Sequence, residues 1–307
     1  MLTKDLRTSP ARGAAACSLL LMLTGTHATS DRPAIHIESE AEPFAPDIAS
    51  TEFSEVRLTL SPDGRTALWF SRNRPGGAGG YDIWISRRVD GRWAKASAVA
   101  FNTPGRDFDP AFSADGRFVY FCSDRPGGLG GDDIYRVAVT AQGFAAPEHL
   151  GSAVNSAGNE FAPMLSPDGA RLLFSSDRPG GAGRHDLYVA HQDAGKFEPA
   201  RRLPGAINTA ADEFDATFLA DGATVVFARA PDFRSDRVDL YAAAAREGHY
   251  DAGTVLPQTV NSGDKDTYGP MLDWSDPGRI TVSGQRAGAR DMDLYLVRYT
   301  LPREHSD

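Results

Sequence analysis

The chain has 307 residues, 24% of them charged and 41% hydrophobic, with a formal net charge of −9 at pH 7 and two cysteines. That length and apolar content are enough for a large core, and the acidic balance disfavours nucleic acid or an anionic membrane as a partner. Two cysteines exclude a disulfide-stapled scaffold.

In chain order, Lys4, Arg7 and Arg12 come first, then an apolar run from Ala14 to Leu23, then Thr26-His27-Ala28. This is the layout of a secretory signal peptide. The run is too short for a permanent membrane span, and Cys17 is badly placed for lipid attachment because the leucine cluster follows it. Residues 1–28 are expected to leave a soluble exported protein, periplasmic or secreted, without stable membrane insertion. Loss of Lys4, Asp5, Arg7 and Arg12 takes the charge from −9 to −11 and leaves Cys122 as the remaining cysteine, so no internal disulfide is expected. Residues 29–51 are rich in acids and proline. Within them, Ala34-Ile35-His36-Ile37 is the apolar stretch able to act as a strand, a disordered linker being the alternative.

From residue 52 to residue 300 the sequence repeats. Ser71-Arg72-Asn73-Arg74-Pro75-Gly76-Gly77 leads to Asp82-Ile83-Trp84, Ser123-Asp124-Arg125-Pro126-Gly127-Gly128 to Asp133-Ile134-Tyr135, and Ser176-Asp177-Arg178-Pro179-Gly180-Gly181 to Asp186-Leu187-Tyr188. Looser copies begin at Ala228-Arg229-Ala230-Pro231 and Ser283-Gly284-Gln285-Arg286. A second signature, Ser-Pro-Asp-Gly or a close variant, places Asp63, Asp115, Asp168 and Asp221 at intervals of 52 or 53 residues, with a degenerate copy at Ser275-Asp276-Pro277-Gly278. Each unit reads as four short strands. In the third copy these are Phe161 to Leu165, Arg171 to Ser175, Asp186 to Ala190 and an edge strand Lys196 to Ala200, which tolerates Pro199 because it is outermost. Pro presets φ and Gly takes the left-handed position in the turn after the first strand. No 3.6-residue apolar period persists, so the prediction is an all-β, five-bladed β-propeller of four-stranded antiparallel blades. The fifth blade stops one strand short before the polar tail at 301–307, and Ala34 to Ile37 is expected to supply the missing strand and close the ring.

This pattern resembles the propeller repeat of the TolB family, the periplasmic protein of the Tol-Pal envelope system, and of related exported repeat proteins, over roughly residues 52 to 297. Here it is expected as an isolated, monomeric propeller, without the α/β domain that precedes it in TolB. The resemblance implies an exported, non-catalytic protein that binds a protein or a glycan of the cell envelope.

In such a blade the second-to-third-strand loop and the blade crossover share one face of the ring. That face collects Arg74, Arg125 and Arg178, the crossover residues Asn102, Asn155, Asn208 and Asn261, and an acid near each inner strand: Glu52, Asp107, Glu160, Glu213 and Asp266. A ring of five carboxylates at the channel mouth would hold a basic group, a polyhydroxylated ligand or a Ca²⁺ ion. Otherwise no cofactor or metal is expected. The competing reading is structural, with the acids accepting loop hydrogen bonds or pairing with the arginines. The aspartates opening the third strands, such as Asp82 and Asp186, are expected to tie down the glycine loops, which join strands and lack the helix of a phosphate-binding loop.

The alternative activity is a carbohydrate-active hydrolase or lyase using channel-mouth carboxylates, for which Asp109 and Asp215 form the best symmetry-breaking pair. No nucleophile elbow is present, His149, His185, His191 and His249 have no ligand spacing, and no catalytic residue is assigned. Blade four departs from the pattern: Phe233 and Arg234 replace the glycines, and an asymmetric ligand is expected to lean on them.

Overall fold

The computed structural model describes residues 34–302 except 290. The expected signal peptide and residues 303–307 of the polar tail lie outside the described residues. Every described element is a strand or a turn, and each repeat makes one antiparallel sheet.

The inner strands of blades one to five are Ser54–Leu60, Asp107–Phe112, Glu160–Leu165, Asp212–Phe218 and Thr267–Leu272. The second strands are Thr66–Arg72, Phe118–Ser123, Arg171–Ser176, Thr224–Ala230 and Arg279–Gly284. The third are Tyr81–Val89, Asp133–Thr140, Asp186–Asp193, Asp239–Arg246 and Asp293–Thr300. Each inner sheet is flanked on both faces by its neighbours, which is why stretches such as Leu172-Leu173-Phe174 are continuously apolar and fully buried rather than alternating. The outer strand is shorter than the sequence implied. In blade three it splits into Lys196–Phe197 and Arg201–Arg202, both paired to the third strand, with Pro199 in the break where no ladder hydrogen bond is needed.

The repeated signatures have local explanations. Asp63 Oδ1 accepts from the Ser61 hydroxyl at 2.6 Å and from the Arg65 N–H at 3.0 Å, closing the turn in which Gly64 takes φ +66°. Asp82, Asp133 and Asp186 accept from two loop amides each, Ala78 and Gly79, Leu129 and Gly130, Ala182 and Gly183, so they do tie down the glycine loops. A Cβ at Gly77, Gly128 or Gly181 would collide with that carboxylate, which accounts for the second glycine of the motif.

Blade five is completed from the other end of the chain. His36 and Ile37 pair with Thr300 and Tyr299, and Glu42 and Pro43 pair with Leu296 and Tyr295, all antiparallel. The closing strand therefore extends past the expected Ala34 to Ile37, again in two pieces. Ser50 fastens it, accepting from the Leu294 N–H at 3.1 Å and donating to the Phe44 carbonyl at 3.0 Å.

Each inner strand also carries a bulge, with one extra residue against its partner. The bulged residues Arg57, Asp109, Ala162, Asp215 and Gly269 have φ between 47° and 63°. This left-handed conformation turns the side chains of Arg57, Asp109 and Asp215 toward one another.

Candidate binding face and the blocked axis

The five repeat arginines form a layer under the loop face. In blade two, Arg125 Nη2 donates to Asp107 at 2.6 Å and to the crossover carbonyl of Phe101 at 3.1 Å, while its guanidinium carbon sits 5.1 Å from the centre of the Tyr135 ring. Arg178 meets Glu160, Val154 and Tyr188 in the same way, Arg74 meets Glu55, Ile48 and Trp84, and Arg229 meets Glu213, Ile207 and Tyr241. All four carboxylates have no exposed surface. Burial, opposed by Thr51 and Arg74, pushes Glu55 up to about 7, and burial likewise raises Glu213.

The expected five-acid ring thus divides. Asp107, Glu160 and Glu213 are internal partners of arginines of their own blades. Register assigns the equivalent place in blade one to Glu55, opposite Ser71, and in blade five to Thr267, opposite Gly284. Glu52 and Asp266 instead line a cleft of about 330 Å³ between blades five and one, with Arg72, Tyr268, Gln285 and Asp291. Among the described residues no group of three or more His, Cys, Asp or Glu side chains is placed to hold a metal. Glu55, Arg229 and Arg286 were missed as members of the layer. Arg229 is hard to align because it occupies the strand position that Ser176 has in blade three, as their pairings with Asp239 and Asp186 show.

The crossover asparagines clamp the preceding third strand. Asn155 Oδ1 accepts from the Ile134 N–H at 2.8 Å while Nδ2 donates to the Ile134 carbonyl at 3.0 Å, and Asn102, Asn208 and Asn261 repeat this at Ile83, Leu187 and Leu240.

Blade four supplies the uneven part of the face. Phe233 is 36% exposed, with its ring centre 4.9 Å from that of His185 and 5.4 Å from that of Phe214. Phe161 also meets His185, with ring centres 5.6 Å apart. His185 Nδ1 lies 3.0 Å from Asp212 Oδ1, and Asp212 Oδ2 accepts from Arg184 at 2.8 Å and from the Phe233 N–H at 3.0 Å. Burial raises the Asp212 carboxyl, but these hydrogen bonds outweigh it and hold the group below its ordinary value. The guanidinium of the exposed Arg234 stands 5.7 Å from the Phe233 ring centre.

Beneath this face the axis is blocked. Arg57 Nε is 3.8 Å from Asp109 and Nη1 is 3.8 Å from Asp215, and Nη2 donates to the Pro163 carbonyl at 3.2 Å. Arg57 has no exposed surface, and Asp109 and Asp215 are 3% and 5% exposed. Burial pushes Asp109 well above the carboxylate range, with the Asp215 charge adding to it, and burial also raises Asp215; Arg57 opposes both. At the other end, the Trp274 indole N–H donates to the Phe112 carbonyl at 2.8 Å, linking blade five to blade two. On the Ser-Pro-Asp-Gly side, two inter-blade grooves of about 630 Å³ each open between neighbouring turns.

No protein-family model matches the chain, and no curated protein matches it in sequence. Solved structures match its fold. An α-L-arabinofuranosidase from Lactobacillus brevis is similar with a TM-score of 0.56 at 9% identity, over 83% of this chain and 94% of that one. The α-L-arabinofuranosidase PaAbf62A from Podospora anserina, in complex with cellotriose, gives 0.50 at 14%, over 89% and 99%. TolB from Acinetobacter baumannii gives 0.48 at 16%, over 80% of this chain and 56% of that one, so the chain spans little more than half of that protein's length. At these identities the likeness is one of fold.

Proposed function

We propose that this is an exported, non-catalytic propeller that binds a protein or another component of the cell envelope through the face carrying the Arg-Pro-Gly-Gly loops. The supporting observation is Phe233, which is held over His185 and Phe214 yet remains 36% exposed, on a face whose repeated acids are already paired internally. An aromatic anchor beside a guanidinium is the composition of an interface hot spot. Export, and removal of residues 1–28, belong to the same proposal, resting on the charged and apolar layout of the N-terminus. Capture of a crosslinked partner from envelope extract by the wild-type chain, and its loss with Phe233→Ser and Arg234→Glu, is the expected result. Undiminished capture by the variant contradicts the proposal.

A second reading is favoured by Asp109 and Asp215, two raised carboxyls on the axis as a carbohydrate-active hydrolase or lyase would use. Against it, Arg57 stands between them and both are nearly inaccessible to a sugar. New reducing ends or unsaturated products from a polysaccharide panel, lost in Asp109→Asn, would establish it.

A further inference from the structure

Blade five leaves its arginine without a carboxylate. Arg286 keeps two of the contacts made by its counterparts: its guanidinium carbon is 4.8 Å from the Tyr295 ring centre, and Nη2 donates to the Val260 carbonyl. The third contact is missing, because Thr267 stands in the place of Glu55, Asp107, Glu160 and Glu213. Its hydroxyl accepts from the Ser262 N–H at 3.1 Å, so it serves the crossover. Gly284 likewise replaces Ser123 and Ser176, whose hydroxyls accept from Nε of Arg125 and Arg178 at 2.8 and 2.9 Å. As a result Arg286 Nε is buried with no hydrogen-bond partner among the described residues. The residue borders an open cleft of about 910 Å³ on the loop side, where Lys265, Gln258, Thr259 and Gln285 add donors.

We propose that this cleft binds a carboxylate of a peptide ligand, with Arg286 as its anchor. The ligand supplies from outside the negative charge that the other four blades supply from within. A guanidinium stacked on an aromatic ring is held rigidly, which suits a charge-assisted contact from its terminal nitrogens to a carboxylate. Glu40, Asp264 and Asp291 also line the cleft and disfavour polyanions, so a single carboxylate fits better than a phosphate chain. Asp291 is engaged by the Met292 N–H at 2.8 Å. Glu40, exposed between the two pieces of the closing strand, acts electrostatically on Arg286 and competes with the ligand. The inference rests on the proposed binding role and gives one contact of its partner a chemical class.

Calorimetric titration of the full chain tests this with three acetylated peptides: one ending in a free carboxylate, its C-terminal amide, and that amide carrying an internal glutamate. Binding by either carboxylate peptide and not by the neutral amide is expected, and the two carboxylate peptides distinguish a chain terminus from an acidic side chain. Arg286→Gln, and Thr267→Glu, which rebuilds the internal pair, are each expected to weaken binding by roughly tenfold or more, a charge-assisted contact's worth. Glu40→Gln is expected to tighten it. Equal binding of the neutral amide, no binding of either carboxylate peptide, or full affinity in Thr267→Glu overturns the proposal. Any of these results leaves partner capture through Phe233 intact, so the two failures are separable.

Discussion

Arg57 of blade one reaches across the propeller to Asp215 of blade four, with Nη1 3.8 Å from Oδ1, and no exposed surface on the arginine. Two blades that are not neighbours are joined by an ion pair at the centre, with Asp109 of blade two as the second carboxylate, 3.8 Å from Nε. Replacing Arg57 with Met leaves two buried carboxylates uncompensated, which costs about 3–5 kcal/mol. Thermal melts are expected to fall by roughly 10 °C for a chain of this size. Adding Asp109→Asn and Asp215→Asn is expected to recover most of the loss; an unaltered melt in Arg57→Met alone contradicts the structural role.

The same buried acids set an unusual pH dependence. Asp109 and Asp215 are raised, Glu55 is pushed up to about 7 and Asp132 to about 6, in each case chiefly by burial. Each binds its proton more tightly folded than unfolded, so its stabilisation is complete below the ordinary carboxylate range and is lost as pH rises through the folded value. The melting temperature is expected to decline from pH 5 to pH 8. Glu55→Gln should flatten the part of that decline nearest pH 7, by an amount on the order of 1–3 kcal/mol. Asp63, Asp115 and Asp168 are lowered and act oppositely, but below about pH 4. A stability that rises steadily from pH 5 to pH 8 would count against burial as the dominant influence on these carboxyls.

Much of this architecture is legible in the repeats. The turn signature, the glycine loop and its aspartate each have a local hydrogen-bonding reason, so they recur with little change in the first three blades. Even the closing strand follows from counting strands in blade five. The axis is harder to read, because Arg57, Asp109 and Asp215 occupy equivalent bulge positions with unrelated side chains, and no repeat marks them as one cluster. The acid layer lies three residues further on than expected in blade one and one further on in blade five, since register is set by pairing with the second strand and not by spacing in the segment that precedes the inner strand.

Closure by the N-terminal segment predicts a second stability effect. Deleting residues up to 43 removes both pieces of the closing strand and exposes the edge of Asp293–Thr300. Such an edge is a template for intermolecular pairing. The truncated chain is expected to melt lower and to elute as dimers or larger species in size-exclusion chromatography, whereas a monomer of unchanged melting temperature would show the closing strand to be dispensable.

The asparagine clamp offers a local test. Asn155→Ala removes an acceptor and a donor from the Ile134 peptide at a position 2% exposed. Loss of both bonds is expected to cost roughly 2–4 kcal/mol in chemical denaturation, because the strand's polar groups stay buried. Asn155→Asp, which keeps the acceptor, should cost less than Asn155→Ala if the Ile134 N–H is the contact that matters more.

The most direct measurement of the binding account is photocrosslinking in envelope extract with a photoreactive residue at position 233, compared with one at position 63 on the opposite, Ser-Pro-Asp-Gly side. The account predicts a discrete adduct from position 233 and none from position 63. Adducts from position 63 alone, or equally from both, would contradict it.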